Sequence, residues 1–250
     1  MNNSTLNASS KPCILILGMH RSGTSCLAGS LQQQGVYLGD VHKWNPHNLK
    51  GNRENPKIME LNESVFAFNH STWDRPTDHP VIWTEQQQKQ RDRLIQDLEQ
   101  NAQQAWGFKD PRTLINLDFW LKGLVNTCTV KCVGTFRHPL AVVQSLHKRN
   151  GTPLKDGLAL WYSYNSRLLA YWEKARFPLL SFDVAAPVYS QNFQQVCAEL
   201  GLNFVPTEQP FFENQLRSSA EQPVAAFQDL AEPYASCYQR LQATYLAWAA

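Results

Sequence analysis

A single α/β domain, with a central parallel sheet and helices on both faces, is the fold this 250-residue sequence predicts. Three observations carry that prediction. Short apolar runs alternate with longer segments of helical period, which is the pattern of strands joined by crossover helices. Twice, such a run leads through a short polar loop straight into a helix-compatible segment. With 43% hydrophobic residues and no linker-like break in composition, the chain can bury one sizeable core and gives no boundary for a second.

The elements follow in order. Cys13-Ile14-Leu15-Ile16-Leu17 is continuously apolar, as a strand buried on both faces must be, and predicts a strand over 13–18. Cys26-Leu27-Ala28-Gly29-Ser30-Leu31 suits a helix over 24–34. Ile58, Leu61, Val65 and Phe68 recur at helical spacing within 54–68, and a second helix is expected over 85–104. Between them, Ser71 to Trp83 has no period and reads as a long surface loop, serving either ordinary packing or contact with a substrate.

Trp106-Gly107-Phe108 marks a strand over 105–108, and Thr129 to Phe136 marks another over 129–136. Pro139 suits the first position of a helix over 140–148. Leu158, Trp161, Tyr162, Asn165, Leu168, Leu169 and Trp172 fall on one face of a helix over 155–175. A strand over 178–183 and a helix over 188–200 complete the alternation. Beyond 202 the pattern weakens until a last helix over 229–248, whose Tyr234, Cys237, Tyr238, Leu241, Tyr245 and Trp248 suggest a packed element or a contact surface.

A formal charge of +2 is too small for a general nucleic-acid surface, so the basic groups act locally. The six cysteines form no zinc-type pair and lie in apolar positions, which indicates reduced thiols and no metal. Met1 to Ser10 is polar, without the apolar core of a leader, and is expected to be disordered. With no run of about 18 apolar residues, the expected location is the cytoplasm.

Chemistry enters with Gly18-Met-His-Arg-Ser-Gly-Thr-Ser25, which joins the first strand to its helix. A strand, a glycine-framed loop and a helix N-terminus together aim partial positive charge at one point and suit a phosphate. The ATP/GTP form of this loop has lysine after its second glycine. Here Thr24 follows Gly23 and the cation is Arg21, before the turn, so a metal-bound triphosphate is the weaker reading. A second site stands at the end of the 129–136 strand: Arg137-His138-Pro139, with Ser145 eight residues after the arginine inside the next helix. Ligands of open α/β sheets bind at that carboxyl edge.

With R-S-G-T-S at the first strand and R-H-P followed by that serine, the sequence resembles the PAPS-dependent sulfotransferases, in their bacterial branch with a G-M-H-R-S-G-T-S loop. Further matching pieces are Gly107 to Arg112, Asn48-Leu49-Lys50-Gly51 to Glu54 leading to Leu61-Asn62, and Leu160 to Asn165; the likeness spans about 13–202. The resemblance implies a P-loop NTPase-like sulfotransferase architecture over 11–250 and 3′-phosphoadenylyl sulfate (PAPS) as sulfate donor, without a metal. It implies that Ser22, Gly23, Thr24 and Ser25 bind the 5′-phosphate, that Arg137 and Ser145 bind the 3′-phosphate, and that Arg21 acts at the bridging oxygen. It also implies a hydroxyl acceptor, small molecule or glycan. Cys26 stands where better-known members carry a tryptophan near the adenine.

Transfer to a hydroxyl needs a base. Glu54 is the candidate, opening the 54–68 helix where related bacterial sequences carry a glutamate; the alternative is that it merely favours the first turn. His20 and His138 are its rivals. Lys109, Asp110 and Arg112 either orient Arg21 or meet the anionic donor, or form a structural ion-pair knot. Arg149, in the basic tract after Ser145, is a candidate further contact to the 3′-phosphate. Three readings stand: a PAPS-dependent sulfotransferase, a P-loop kinase, and a non-catalytic nucleotide-binding module.

Overall fold

In a computed structural model that describes residues 10–44, 51–212 and 230–249, five parallel strands form one sheet in the order β2-β3-β1-β4-β5. The chain runs β1 (Cys13–Leu17), α1 (Thr24–Gln33), β2 (Val36–Tyr37), α2 (Pro56–Phe68), α3 (Glu85–Asn101), β3 (Ala105–Lys109) and a 3₁₀ helix (Pro111–Leu114). It continues α4 (Leu117–Leu124), β4 (Val130–Phe136), α5 (Pro139–Asn150), α6 (Leu154–Ala175), β5 (Leu179–Ser181), α7 (Ala186–Leu200) and α8 (Tyr234–Ala249). The expected disorder of Met1 to Ser10 falls almost wholly outside the described residues, as do Asn48 to Lys50.

β1 lies between β3 and β4, and every residue in it is buried. Its pleat splits the core into two layers. Cys13, Leu15 and Leu17 face one side with Leu61 of α2, Ile95 of α3, Trp120 of α4, Val142 of α5, Trp161 of α6 and Leu241 of α8. Ile14 and Ile16 face the other, against Leu27 and Leu31 of α1 and Phe193 and Val196 of α7. Both faces of the strand are therefore apolar, as a parallel sheet covered by helices requires.

Four strands match their sequence signals within two residues at each end. β2 and α4 have no counterpart in the sequence reading: β2 has only two residues and α4 only eight, too few to show a period. Two positions need correction. Phe68 is 46% exposed at the end of α2, and on α6 Tyr162 faces outward while Tyr164 is fully buried in its stead. A 100° helical step makes such neighbours hard to separate in a stripe rich in aromatic residues. No helix among the described residues is long and apolar enough to cross a membrane.

One buried polar side chain ties the layer above β3 together. Asn62 of α2, with no exposed surface, donates to Asp110 Oδ2 (3.1 Å) and Thr113 Oγ1 (3.2 Å). Its own Oδ1 accepts from Asn116 Nδ2 (3.0 Å) and from the Trp120 indole N–H (2.9 Å). Asn62→Leu keeps the branched shape at a somewhat larger size but strands two donors and two acceptors. We expect a stability loss of about 3 kcal/mol by urea denaturation. A loss below about 1 kcal/mol would show that the network repairs itself.

Candidate active site

The loop after β1 is shaped by its neighbour strand. Gly18 has φ +150°, and a Cβ there would meet the Thr135 carbonyl of β4 at 2.5 Å. The Thr135 hydroxyl in turn donates to the Ser22 carbonyl at 3.0 Å. At Gly23, φ is +86°, and a Cβ would lie 2.3 Å from the Phe182 ring. α1 begins there with no side-chain cap and no acidic residue in its first turn, so its positive end faces the loop interior. Ser22 is fully buried, and its Oγ has no hydrogen-bond partner among the described residues. Ser25 is committed to the fold, donating to the Asn52 carbonyl at 3.0 Å, while Thr24 lies buried in the first turn.

The second motif sits where β4 turns into α5. The imidazole Nδ1 of His138 accepts from the Leu140 N–H (3.2 Å), capping α5, and the His138 backbone N–H donates to Asp183 Oδ2 (2.7 Å). Arg137 is buried, with its Nε 3.6 Å from Asp183 Oδ1 and its guanidinium 5.5 Å from the centre of the Phe182 ring. The two motifs meet directly. Arg21 Nε donates to Ser145 Oγ at 2.8 Å, across 124 residues of sequence. Arg21 holds φ +65° to do so, a left-handed conformation uncommon outside glycine.

Positive charge accumulates around that contact. Burial, then Arg149 and Arg137, lower Arg21 from its ordinary value to about 10. Burial also lowers Arg149, with Arg112 acting the same way and Glu54 against it. His20 is pushed well below the usual histidine range by burial and by Arg112, Arg149, Lys109 and Arg21. His138 falls to about 4 through burial and Arg137. Both imidazoles are thus neutral near pH 7, and that of His138 has its Nδ1 lone pair engaged in capping.

Beside the loop lies a charged group built on β3 and the segment leading into α2. Glu54 is not within the helix: Asn55 caps α2, accepting from the Lys57 N–H at 3.0 Å, and Pro56 is the first helical residue. That corrects the first-turn reading, for Glu54 is held by cations instead. Lys109 Nζ is 2.7 Å from Glu54 Oε1, with both residues buried, and Arg112 lies 3.9 Å from Oε2. Oε2 consequently accepts no hydrogen bond from any described residue. Arg112 also binds Asp110 Oδ1 (2.9 Å) and Glu63 Oε1, and these anions hold it above the usual arginine value despite burial. Of the two readings of Lys109, Asp110 and Arg112, the ion-pair knot is the one their contacts draw.

The arrangement brings Arg21, Ser22, Ser145, Arg137 and Arg149 to the carboxyl edge of β1 and β4, with Glu54 alongside. At this edge the connections from β1 and β4 leave in opposite directions, which is where open α/β sheets bind ligands. One neighbour escaped the sequence reading, and a second lies in the 71–83 segment read as serving either packing or contact with a substrate. Phe182, which closes over Gly23, follows β5 at the same edge, a position that marks it once the strand order is known. Trp73, against which the His20 ring packs at 4.7 Å, comes from the aperiodic loop. Among the described residues no group of His, Cys, Asp and Glu is placed to hold a metal ion.

An α/β architecture with a charged carboxyl edge is thereby defined, and solved structures narrow it to the sulfotransferase fold. The sulfotransferase domain of an olefin synthase from Synechococcus PCC 7002 superposes with a TM-score of 0.54 at 16% identity, covering 97% of this chain and 95% of that one. A sulfotransferase domain from the curacin biosynthetic pathway gives 0.52 at 16%, over 93% and 96%. A sulfotransferase from Alicyclobacillus acidocaldarius gives 0.52 at 18%, over 96% and 99%. No family model and no curated protein sequence matches the chain.

A pH dependence follows from the neutral histidines. Their folded-state values lie below the ordinary value of about 6.5, so between about 6.5 and 4 the unfolded chain takes up protons that the folded chain refuses. Stability contributed by this difference is complete above that window and is lost as pH falls through it. The melting temperature is expected to drop from pH 7 to pH 5, and less steeply in His138→Asn, which can still cap α5. Parallel drops in the two proteins would remove His138 from this account.

Proposed function

We propose that residues 11–250 form a sulfotransferase domain that moves a sulfuryl group from PAPS to a hydroxyl acceptor. The observation that carries this reading is the hydrogen bond from Arg21 to Ser145, which makes one site of two phosphate-type motifs. The residues present fit a donor with phosphates at both ends of its ribose. The buried, unpartnered Ser22 Oγ and the uncapped start of α1 suit the 5′-phosphate. Arg137 and Ser145 suit the 3′-phosphate. Arginine offers a planar fork of donors matched to phosphate oxygens.

When bound, PAPS supplies a sulfuryl group whose S–O cleavage moves negative charge onto the departing phosphate. Arg21, together with the N–H groups around Gly23 and Thr24, stabilises that developing charge more than the ground state. Glu54 takes the acceptor's proton at Oε2, the oxygen that its partners leave open, while Lys109 fixes the carboxylate through Oε1. A small-molecule or glycan hydroxyl acceptor, action without a metal and a reducing, cytoplasmic setting complete the proposal. All six cysteines are free, which agrees with that setting.

Calorimetric titration with adenosine 3′,5′-bisphosphate, 5′-AMP, and ATP with and without magnesium tests the reading. The bisphosphate should bind best, with no need for metal. Preference for magnesium-ATP would replace the proposal by a kinase. Arg137→Ala is expected to weaken the bisphosphate by about 10- to 100-fold and to erase its advantage over 5′-AMP. Arg21→Ala should instead cost about 10²- to 10³-fold in turnover with a smaller change in affinity. Equal losses of both parameters in the two variants would undo this division of roles. Glu54→Gln should lower turnover by about 10²- to 10⁴-fold while the bisphosphate still binds, and unchanged turnover would exclude Glu54 as the base.

A further inference from the structure

Two polar groups converge on the Trp73 ring with nothing in the described structure to satisfy them. The Arg149 guanidinium sits 5.3 Å from the ring centre and makes no hydrogen bond or ion pair with a described residue. The His20 ring packs 4.7 Å away, and its Nε2 is buried without a partner in a side chain only 8% exposed. The indole packs against the core, and the backbone that carries it is held. Tyr164 donates from its hydroxyl to the Trp73 carbonyl at 2.9 Å, and Arg167 of the same helix donates to the Thr77 carbonyl at 2.6 Å.

Arg149 belongs to a different part of the site from Arg137. It stands one turn beyond Ser145 on α5, so that about 15 Å of helix separates Pro139 from it. Its charged neighbours include Glu54 and Arg112, whereas Arg137 contacts Asp183 and Phe182. Stacking on indole offsets part of the cost of desolvating a guanidinium, but it leaves the in-plane N–H donors open. A partly buried cation with open donors, beside a neutral imidazole and a fixed aromatic face, is complementary to an anionic oxygen group attached to a flat or sugar-like body.

We propose that Arg149, His20 and Trp73 form the acceptor subsite, and that it selects hydroxyl compounds carrying a carboxylate or similar anionic group. The assignment rests on the transferase reading for its role in catalysis, and it moves Arg149 from the donor's 3′-phosphate to the acceptor.

The test uses the full chain and its Arg149→Gln and Arg149→Lys variants, with methyl β-D-glucuronide and methyl β-D-glucoside as probes. These differ only in a carboxylate. Binding is followed by calorimetry, with and without saturating adenosine 3′,5′-bisphosphate. The wild type should prefer the glucuronide by about tenfold or more, Arg149→Gln should reduce that preference to about twofold, and Arg149→Lys should retain part of it. Bisphosphate affinity in Arg149→Gln should stay within about twofold of wild type. No preference in the wild type, or one that survives Arg149→Gln, would overturn the subsite. A tenfold or greater loss of bisphosphate affinity in Arg149→Gln would return the guanidinium to the donor and overturn it equally. If the wild type binds no bisphosphate, the transferase reading fails, yet an Arg149-dependent preference in the nucleotide-free protein would still uphold an anion-selective subsite.

Discussion

Crowding of guanidinium groups at one sheet edge is the constraint on which the rest of the structure depends. Burial first, and then the like charges of Arg149 and Arg137, lower Arg21 to about 10, so the loop carries both a desolvation cost and a repulsive strain. A flexible loop would relieve such strain by letting the side chains drift apart. Here the loop cannot drift: Gly18 is pressed against the Thr135 carbonyl, Thr135 holds Ser22, and Ser145 holds Arg21. The rigidity comes from β1 and β4 being hydrogen-bonded neighbours over the whole of β1. Positive potential is therefore set in place before any ligand arrives, which is the form of electrostatic preorganisation that enzymes acting on charged groups use.

The parts of this edge that the sequence revealed are those with local signatures. The glycine-framed loop announces a turn between strand and helix, and Arg137 through Ser145 announces another, because backbone conformation is decided within a few residues. Glu54 shows the limit. Its local context suggested a helix first turn, but its position is fixed by Lys109, 55 residues away, and by Arg112. Trp73 is marked only as part of an aromatic loop without a definite place, since a loop without period gains its place from Tyr164 and Arg167 of α6. Likewise β2 becomes a strand through its pairing with β3, not through any pattern in two residues.

His20 connects the phosphate loop to the charged group around Glu54. It lies next to Arg21 in sequence, yet its ring faces Trp73 and Tyr164, and Lys109 and Arg112 both act on it. An imidazolium there would add another positive charge to a region already crowded with them. A neutral imidazole instead contributes a hydrogen-bonding group without charge, so the same cations that suit an anionic ligand also fix the state of the histidine beside it. That reasoning weakens both histidines as bases, because neighbouring cations oppose the protonation that a base must accept.

Glu54 carries the opposite charge, and its position among cations explains why so much structure is spent around it. A carboxylate buried with a lysine gains from the pairing only if both ions keep good geometry, because each has lost its hydration. Lys109 ends β3 and is fixed by the sheet. Arg112 is fixed by Asp110, and Asp110 is in turn fixed by Asn62 and by capping the 3₁₀ helix. The network thus holds one carboxylate oxygen of Glu54 tightly and leaves the other 3.9 Å from Arg112. Replacing Lys109 alone would leave the buried Glu54 anion without its 2.7 Å partner, so the two residues must be kept or lost together. Lys109, Arg112, Asp110 and Asn62 are thus coupled through Glu54 and Asp110, and a change at any one of them is felt by the others.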